Sequence, residues 1–215
     1  MLEKYVERGL SAFSGYETLE FLLTFALPRI DTKPLAKDLL ARYGTVSAVI
    51  NAPVDELCAI KGLGRRSAVL LALVKDVIAY SLKERIVDKP VIARRGDVEN
   101  YLRSELGELR EERVVALYLD NGNRVLGIED VAEGTVNRCV VFPRKVMEGA
   151  MRRSAASFIL VHNHPGGTAS ASEEDWKTTE RLHNAGKQID IPMLDHIIIS
   201  RYKAISLREF KRWPS

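Results

Sequence analysis

The sequence predicts a two-domain α+β protein, with a small all-α domain over residues 1–86 followed by an α/β sheet domain over residues 92–215. Three observations predict it. Apolar residues in the first third recur at three-four spacing, the period of a helix buried on one face. Beyond Arg85 the pattern changes to compact apolar runs alternating with amphipathic segments, as in a sheet covered by helices. Between the two lie the polar, turn-rich Asp88-Lys89-Pro90 and Arg94-Arg95-Gly96, which put a linker near residues 84–92.

Leu19, Leu22, Leu23 and Ala26 line one side of a helix over Tyr16–Leu27. A second runs over Lys33–Tyr43 and closes at Gly44, a residue able to take the left-handed backbone of a helix end. Short helices follow over Thr45–Asn51 and Val54–Ile60, and after Gly62 and Gly64 a long one over Ser67–Leu82. In the second domain Asp97 is placed to cap a helix ending at Leu106. Val114–Leu119 reads as a strand, and Asp120-Asn121-Gly122-Asn123 as the turn to its partner Val125–Val131. Thr135–Phe142 reads as a further strand. Pro143 suits the first position of a helix through Met151. Ser157–Val161 is a buried strand, and Ser172–Ala185 a helix ended by Gly186. Ile197–Ser200 and Ala204–Leu207 complete the set.

Composition bounds the function classes. With 46% hydrophobic and 28% charged residues the chain has the balance of a globular protein able to form one large or two small cores. Cys58 and Cys139 match no metal or redox spacing, so a reducing cytoplasm is expected. No membrane span or signal sequence is expected. Residues 1–85 hold 12 basic and 10 acidic residues, a balance of 12 − 10 = +2 within a total of +3. Neither part is a basic block, so any case for nucleic acid must come from a local motif.

The chemistry gathers in one stretch. His162 and His164 stand at i and i+2 at the end of an apolar strand and so point to the same side. Asp175 lies just inside the following helix, and the intervening Pro165-Gly166-Gly167 permits the chain to reverse. Two imidazoles and one carboxylate can hold a single zinc ion, leaving a fourth corner for water as catalytic zinc sites do. The pieces also have plainer readings: an isolated His-x-His recurs by chance, and Ser172-x-x-Asp175 is a helix-capping pattern.

In order, however, His162-x-His164, seven residues beginning with Pro165, Ser172, two residues and Asp175 resemble the JAMM motif of MPN-type metalloproteases. Over nearly the whole chain the closer resemblance is to the RadC family. It is carried also by Gly134-Thr135-Val136-Asn137, Pro143-Arg144-Lys145-Val146 and Asp195-His196-Ile197-Ile198-Ile199. The resemblance implies a JAMM/MPN, cytidine-deaminase-like sheet domain with zinc on His162, His164 and Asp175. It implies hydrolysis of peptide or isopeptide bonds and an association with DNA repair. It also implies a glutamate on an upstream strand as general base. Glu112, directly before the Val114 strand, fits that position, with Glu111 as the alternative and Glu133 and Glu148 as weaker candidates. Ser172 would donate a hydrogen bond to the developing oxyanion. His183 is expected on the surface, and Asp195-His196 as a buried pair satisfying backbone groups, with support of a metal ligand as the minority reading.

Related chemistries lack their signatures. A nucleobase deaminase needs His-x-Glu with Pro-Cys-x-x-Cys, and a zincin needs His-Glu-x-x-His. In the first domain, Lys61-Gly62-Leu63-Gly64-Arg65-Arg66 resembles the hairpin of a helix-hairpin-helix module. Its glycines allow a tight turn, and helix-start amides with Lys61, Arg65 and Arg66 can hold a phosphate of double-stranded DNA. Such contacts carry no base information. The alternatives to a zinc hydrolase acting on a protein or peptide are a DNA-binding accessory protein without catalysis and a metal-dependent nuclease.

Overall fold

The computed structural model describes residues 1–86, 95–135, 138–165, 169–201 and 203–215. These fall into two compact units, Met1–Ile78 and Ala79–Ser215.

The first unit is helical: α1 (Leu2–Arg8), α2 (Gly15–Ala26), α3 (Lys33–Tyr43), α4 (Val46–Ile50), α5 (Val54–Cys58) and the start of α6 (Arg65–Ile86). Leu19, Leu23, Leu39, Leu57, Leu63 and Leu71 form its core, so the three-four spacing does mark the buried faces. Ser14 and Glu17 close a capping box on α2, and Gly44 ends α3 at φ 81°. Helix α1 is an element the sequence reading leaves out. Its apolar residues Leu2, Tyr5 and Val6 stand at three-four spacing, but over seven residues the period is short, and none of them is buried. The unit boundary falls inside α6, because Ile86 at that helix's end is buried in the second unit's core. The expected linker lies mostly on residues 87–94, outside the described residues.

The second unit continues with α7 (Arg95–Leu106), β1 (Val114–Leu119), β2 (Val125–Asp130), β3 (Ala132–Thr135) and β4 (Arg138–Val141). Then come α8 (Pro143–Arg152), β5 (Ser157–Asn163), α9 (Glu173–Gln188), β6 (Met193–Ile199) and β7 (Ala204–Ser206). Five strands form one sheet in the order β2-β1-β5-β6-β7, while β3 and β4 pair separately. Among the described residues only β5 and β6 run parallel; the other pairs are antiparallel, so the sheet is mixed. Alternation along β1 and β5 divides the core in two. Val115, Leu117, Ile159 and Val161 pack with residues of α7, and Ala116, Tyr118, Phe158 and Leu160 with residues of α8 and α9. His162 follows Leu160 by two residues and therefore faces the α8 and α9 side.

Four expectations are corrected. Helix α7 starts at Arg95, which puts Asp97 within its first turn instead of at its cap. The strand expected over Thr135–Phe142 is found as β4, Arg138–Val141, while Thr135 ends the separate strand β3 that pairs with it. Helix α9 runs two residues past Gly186. That glycine serves close packing: a Cβ there would overlap the Ile191 carbonyl and lie 3.1 Å from Phe158 Cε1. His183 is half-buried, its ring edge-on to Trp213 with centroids 5.9 Å apart. Among the described residues no helix is long and apolar enough to cross a membrane.

Candidate metal centre

Strand β5 carries His162 and ends one residue before His164, and the first turn of α9 delivers the carboxylate. His162 Nε2 lies 2.6 Å from His164 Nε2, and 3.3 Å from Asp175 Oδ1. His164 Nε2 lies 3.6 Å from Asp175 Oδ2. Among the described residues this is the group of His, Cys, Asp or Glu whose ligand atoms all fall within 4.8 Å of one another. Two ring nitrogens at 2.6 Å repel unless a proton or a cation lies between them. The donor set, two imidazoles and a carboxylate at spacings one ion can span, fits zinc. The three side chains could therefore hold a metal ion.

The surroundings fix each candidate ligand. His164 N–H donates to the Ile199 carbonyl at 2.8 Å, tying the end of β5 to β6. Ser172 caps α9, accepting from Asp175 N–H at 3.2 Å. Its backbone N–H and its hydroxyl both donate to Asp175 Oδ2, at 2.6 and 2.7 Å. One residue thus starts the helix and steadies the ligand carboxylate. Burial pushes the His162 imidazole down to about 4, against a partial upward pull from Asp175 and a further push down from His164. A neutral imidazole is the form that can bind a metal.

Glu112 is exposed and stands two residues before β1. Val114 pairs with His162 across β1 and β5, and extending that register by two residues puts position 112 opposite position 164. Asn163 holds this extension. Its Oδ1 accepts from Arg113 N–H at 2.7 Å, its Nδ2 donates to the Glu111 carbonyl at 3.0 Å, and its N–H donates to the Arg113 carbonyl at 3.3 Å. The residues on both sides of Glu112 are thus clamped by the residue between the two histidines. Of the other glutamates, Glu148 forms an exposed ion pair with Arg144 at 2.7 Å. The side chain of Glu133 lies outside the described residues.

Asp195 and His196 divide their labour. Asp195 satisfies its surroundings, accepting from His196 N–H and Ser206 Oγ at 2.7 Å each and from Arg208 N–H at 3.2 Å. His196 is fully buried behind the site, with Nε2 2.9 Å from His162 Nδ1. Its Nδ1 is 2.7 Å from Thr179 Oγ1, and that hydroxyl donates to the Asp175 carbonyl at 2.7 Å. Among the described residues, the His196 side chain thus contacts the side chains of His162 and Thr179 and not a backbone group. Burial holds the His196 imidazole well below its ordinary value, with the two neighbouring histidines adding to the effect.

Asn163 and Thr179 have no place in the sequence reading. Thr179 could have been suspected, since it stands four residues after Asp175 on the same helical face. Asn163 could not, because its partners are 50 and 52 residues away.

In the first unit, Lys61, Gly62, Gly64, Arg65 and Arg66 are all exposed around the turn between α5 and α6. Gly62 has φ 90°, the left-handed backbone that favours glycine. Leu63 is buried beneath, at 2% exposure, and pins the turn to the core.

Residues 92–212 match the family described as "RadC-like JAB domain". The chain is also 32% identical over 214 residues to the UPF0758 protein FN0909 of Fusobacterium nucleatum subsp. nucleatum, an alignment covering 96% of this chain and 92% of that one. With the family's domain spanning more than half of the chain and a relative aligned along nearly all of it, the protein belongs to the RadC family.

Proposed function

We propose that the second unit is a zinc-dependent hydrolase acting on peptide or isopeptide bonds. The observation that carries the reading is the convergence of His162 Nε2, His164 Nε2 and the Asp175 carboxylate at one end of β5. When bound there, zinc would lower the pKa of a water towards about 7 and polarise a substrate carbonyl. Glu112 takes the proton of the attacking water and hands it to the departing amine, the role its clamped position opposite His164 supports. Ser172 holds the ligand carboxylate, and its hydroxyl, turned from Asp175 Oδ2, would donate to a developing oxyanion.

Metal analysis of the wild-type chain and of His164→Ala, with turnover of lysine-ε-amide-linked fluorogenic peptides, tests the reading. One zinc per wild-type chain and none in His164→Ala is expected. Glu112→Gln should keep the zinc and lose about 10²–10⁴-fold in turnover. Equal zinc in wild type and His164→Ala would end the metal reading, and cleavage of phosphodiesters alone would make the protein a nuclease.

A second reading concerns the first unit. The exposed cations around the Gly62 turn support contact with the phosphate backbone of duplex DNA, consistent with a part in DNA repair. Replacing Arg65 and Arg66 with alanine should weaken duplex binding and flatten its salt dependence by roughly 2 in slope. An unchanged slope would remove the DNA role.

A further inference from the structure

Behind His162 runs a chain of hydrogen bonds that has one permitted direction. It begins at the Asp175 carbonyl, which can only accept. Thr179 Oγ1 donates to it at 2.7 Å, and a hydroxyl has one proton to give. Thr179 Oγ1 must therefore accept from its other neighbour, His196 Nδ1, at 2.7 Å. A neutral imidazole carries one ring proton, so His196 Nε2 is left as an acceptor. Its partner at 2.9 Å, His162 Nδ1, is then the donor. The single ring proton of His162 is held on the side away from His164 and Asp175. Its Nε2 presents a bare lone pair to them.

We propose that Thr179 and His196 are positioning residues that lock His162 in its Nδ1–H form, so that Nε2 is set to bind a divalent cation before the cation arrives. The chain also closes on itself: starting from one ligand, His162, it ends on the backbone of another, Asp175. Thr179 and His196 are both fully buried, at 0% exposure, so no water competes for these bonds. The partner that orients a metal-binding histidine is more often a carboxylate or a carbonyl. Here an uncharged imidazole does it, adding no negative charge behind the site. This inference rests on the metal reading of the preceding subsection.

Two measurements on the whole 215-residue chain test it. In the metal-stripped, ¹⁵N-labelled wild type, long-range ring correlations should show His162 and His196 both protonated at Nδ1. A proton on His162 Nε2 would overturn the inference without the need of any variant. Zinc affinity, measured by competition with a chromogenic chelator, should fall about 10–100-fold in Thr179→Val. Thr179→Ser, which keeps the hydroxyl, should stay close to wild type. Full affinity in Thr179→Val, or equal losses in both variants, would also overturn it. A wild-type chain that takes up no zinc would sink the metal reading instead, and the ring-proton positions would still decide the hydrogen-bond chain.

Discussion

Asn163→Ala probes the link between the histidine strand and the glutamate beside it. The Asn163 side chain is 1% exposed and makes two hydrogen bonds to the backbone of residues 111 and 113. Each such bond contributes about 1 kcal/mol net, and an unpaired buried backbone group costs about 1–3 kcal/mol. Glu111 and Arg113 are exposed as residues, so water can reach part of what is uncovered and the lower end applies. The substitution should therefore cost about 2–4 kcal/mol. In a protein of this size each kcal/mol lowers the melting temperature by about 2–4 °C, so a drop on the order of 10 °C is expected. Differential scanning calorimetry on the zinc-loaded and stripped chain reads it directly. No ligand atom belongs to Asn163, so zinc stoichiometry should stay at one per chain, while turnover falls with the loosening of Glu112. A melting temperature within about 1 °C of wild type would refute the clamp. Loss of the zinc with normal stability would move the role of Asn163 to the ligands themselves.

Acid should destabilise the metal-free protein before its carboxylates titrate. The folded state holds His162 at about 4 against an ordinary value of 6.5, so between those values the unfolded chain binds the extra proton. Stability is then fully present above about 6.5 and is lost as pH falls towards 4, by about 3 kcal/mol from this group. Urea midpoints that stay flat from pH 7 to pH 4.5 would contradict a buried neutral His162. Gly149→Ala should also destabilise: a Cβ there would overlap the Tyr118 hydroxyl and lie 2.6 Å from its Cζ, with Tyr118 at 0% exposure. About 1–3 kcal/mol of overpacking is expected, read as a lower urea midpoint with zinc binding retained.

Much of the site could be read in the chain because its elements are local. A two-residue step along a strand puts His162 and His164 on one side whatever the rest of the fold does, and the same Ser172-x-x-Asp175 pattern that starts a helix also aims its carboxylate. What escaped reading was the packing. Gly186 looks like a helix end in sequence, yet the need for Ile191 and Phe158 to approach it explains it better. His183 has no local pattern to show that Trp213, thirty residues on, covers one side of its ring.

The sequence by itself determined the chemical types and their order along the chain: the two imidazoles, the carboxylate behind a helix cap, and the helical and strand periods around them. Periodicity and capping act over a few residues, so they survive in the bare chain. Only the tertiary structure decided that β5 lies between β1 and β6. That choice brings Asn163 to the backbone around Glu112, and His196 behind His162. Strand neighbours and register depend on which apolar faces bury together across the whole sheet, and no short stretch of residues encodes that.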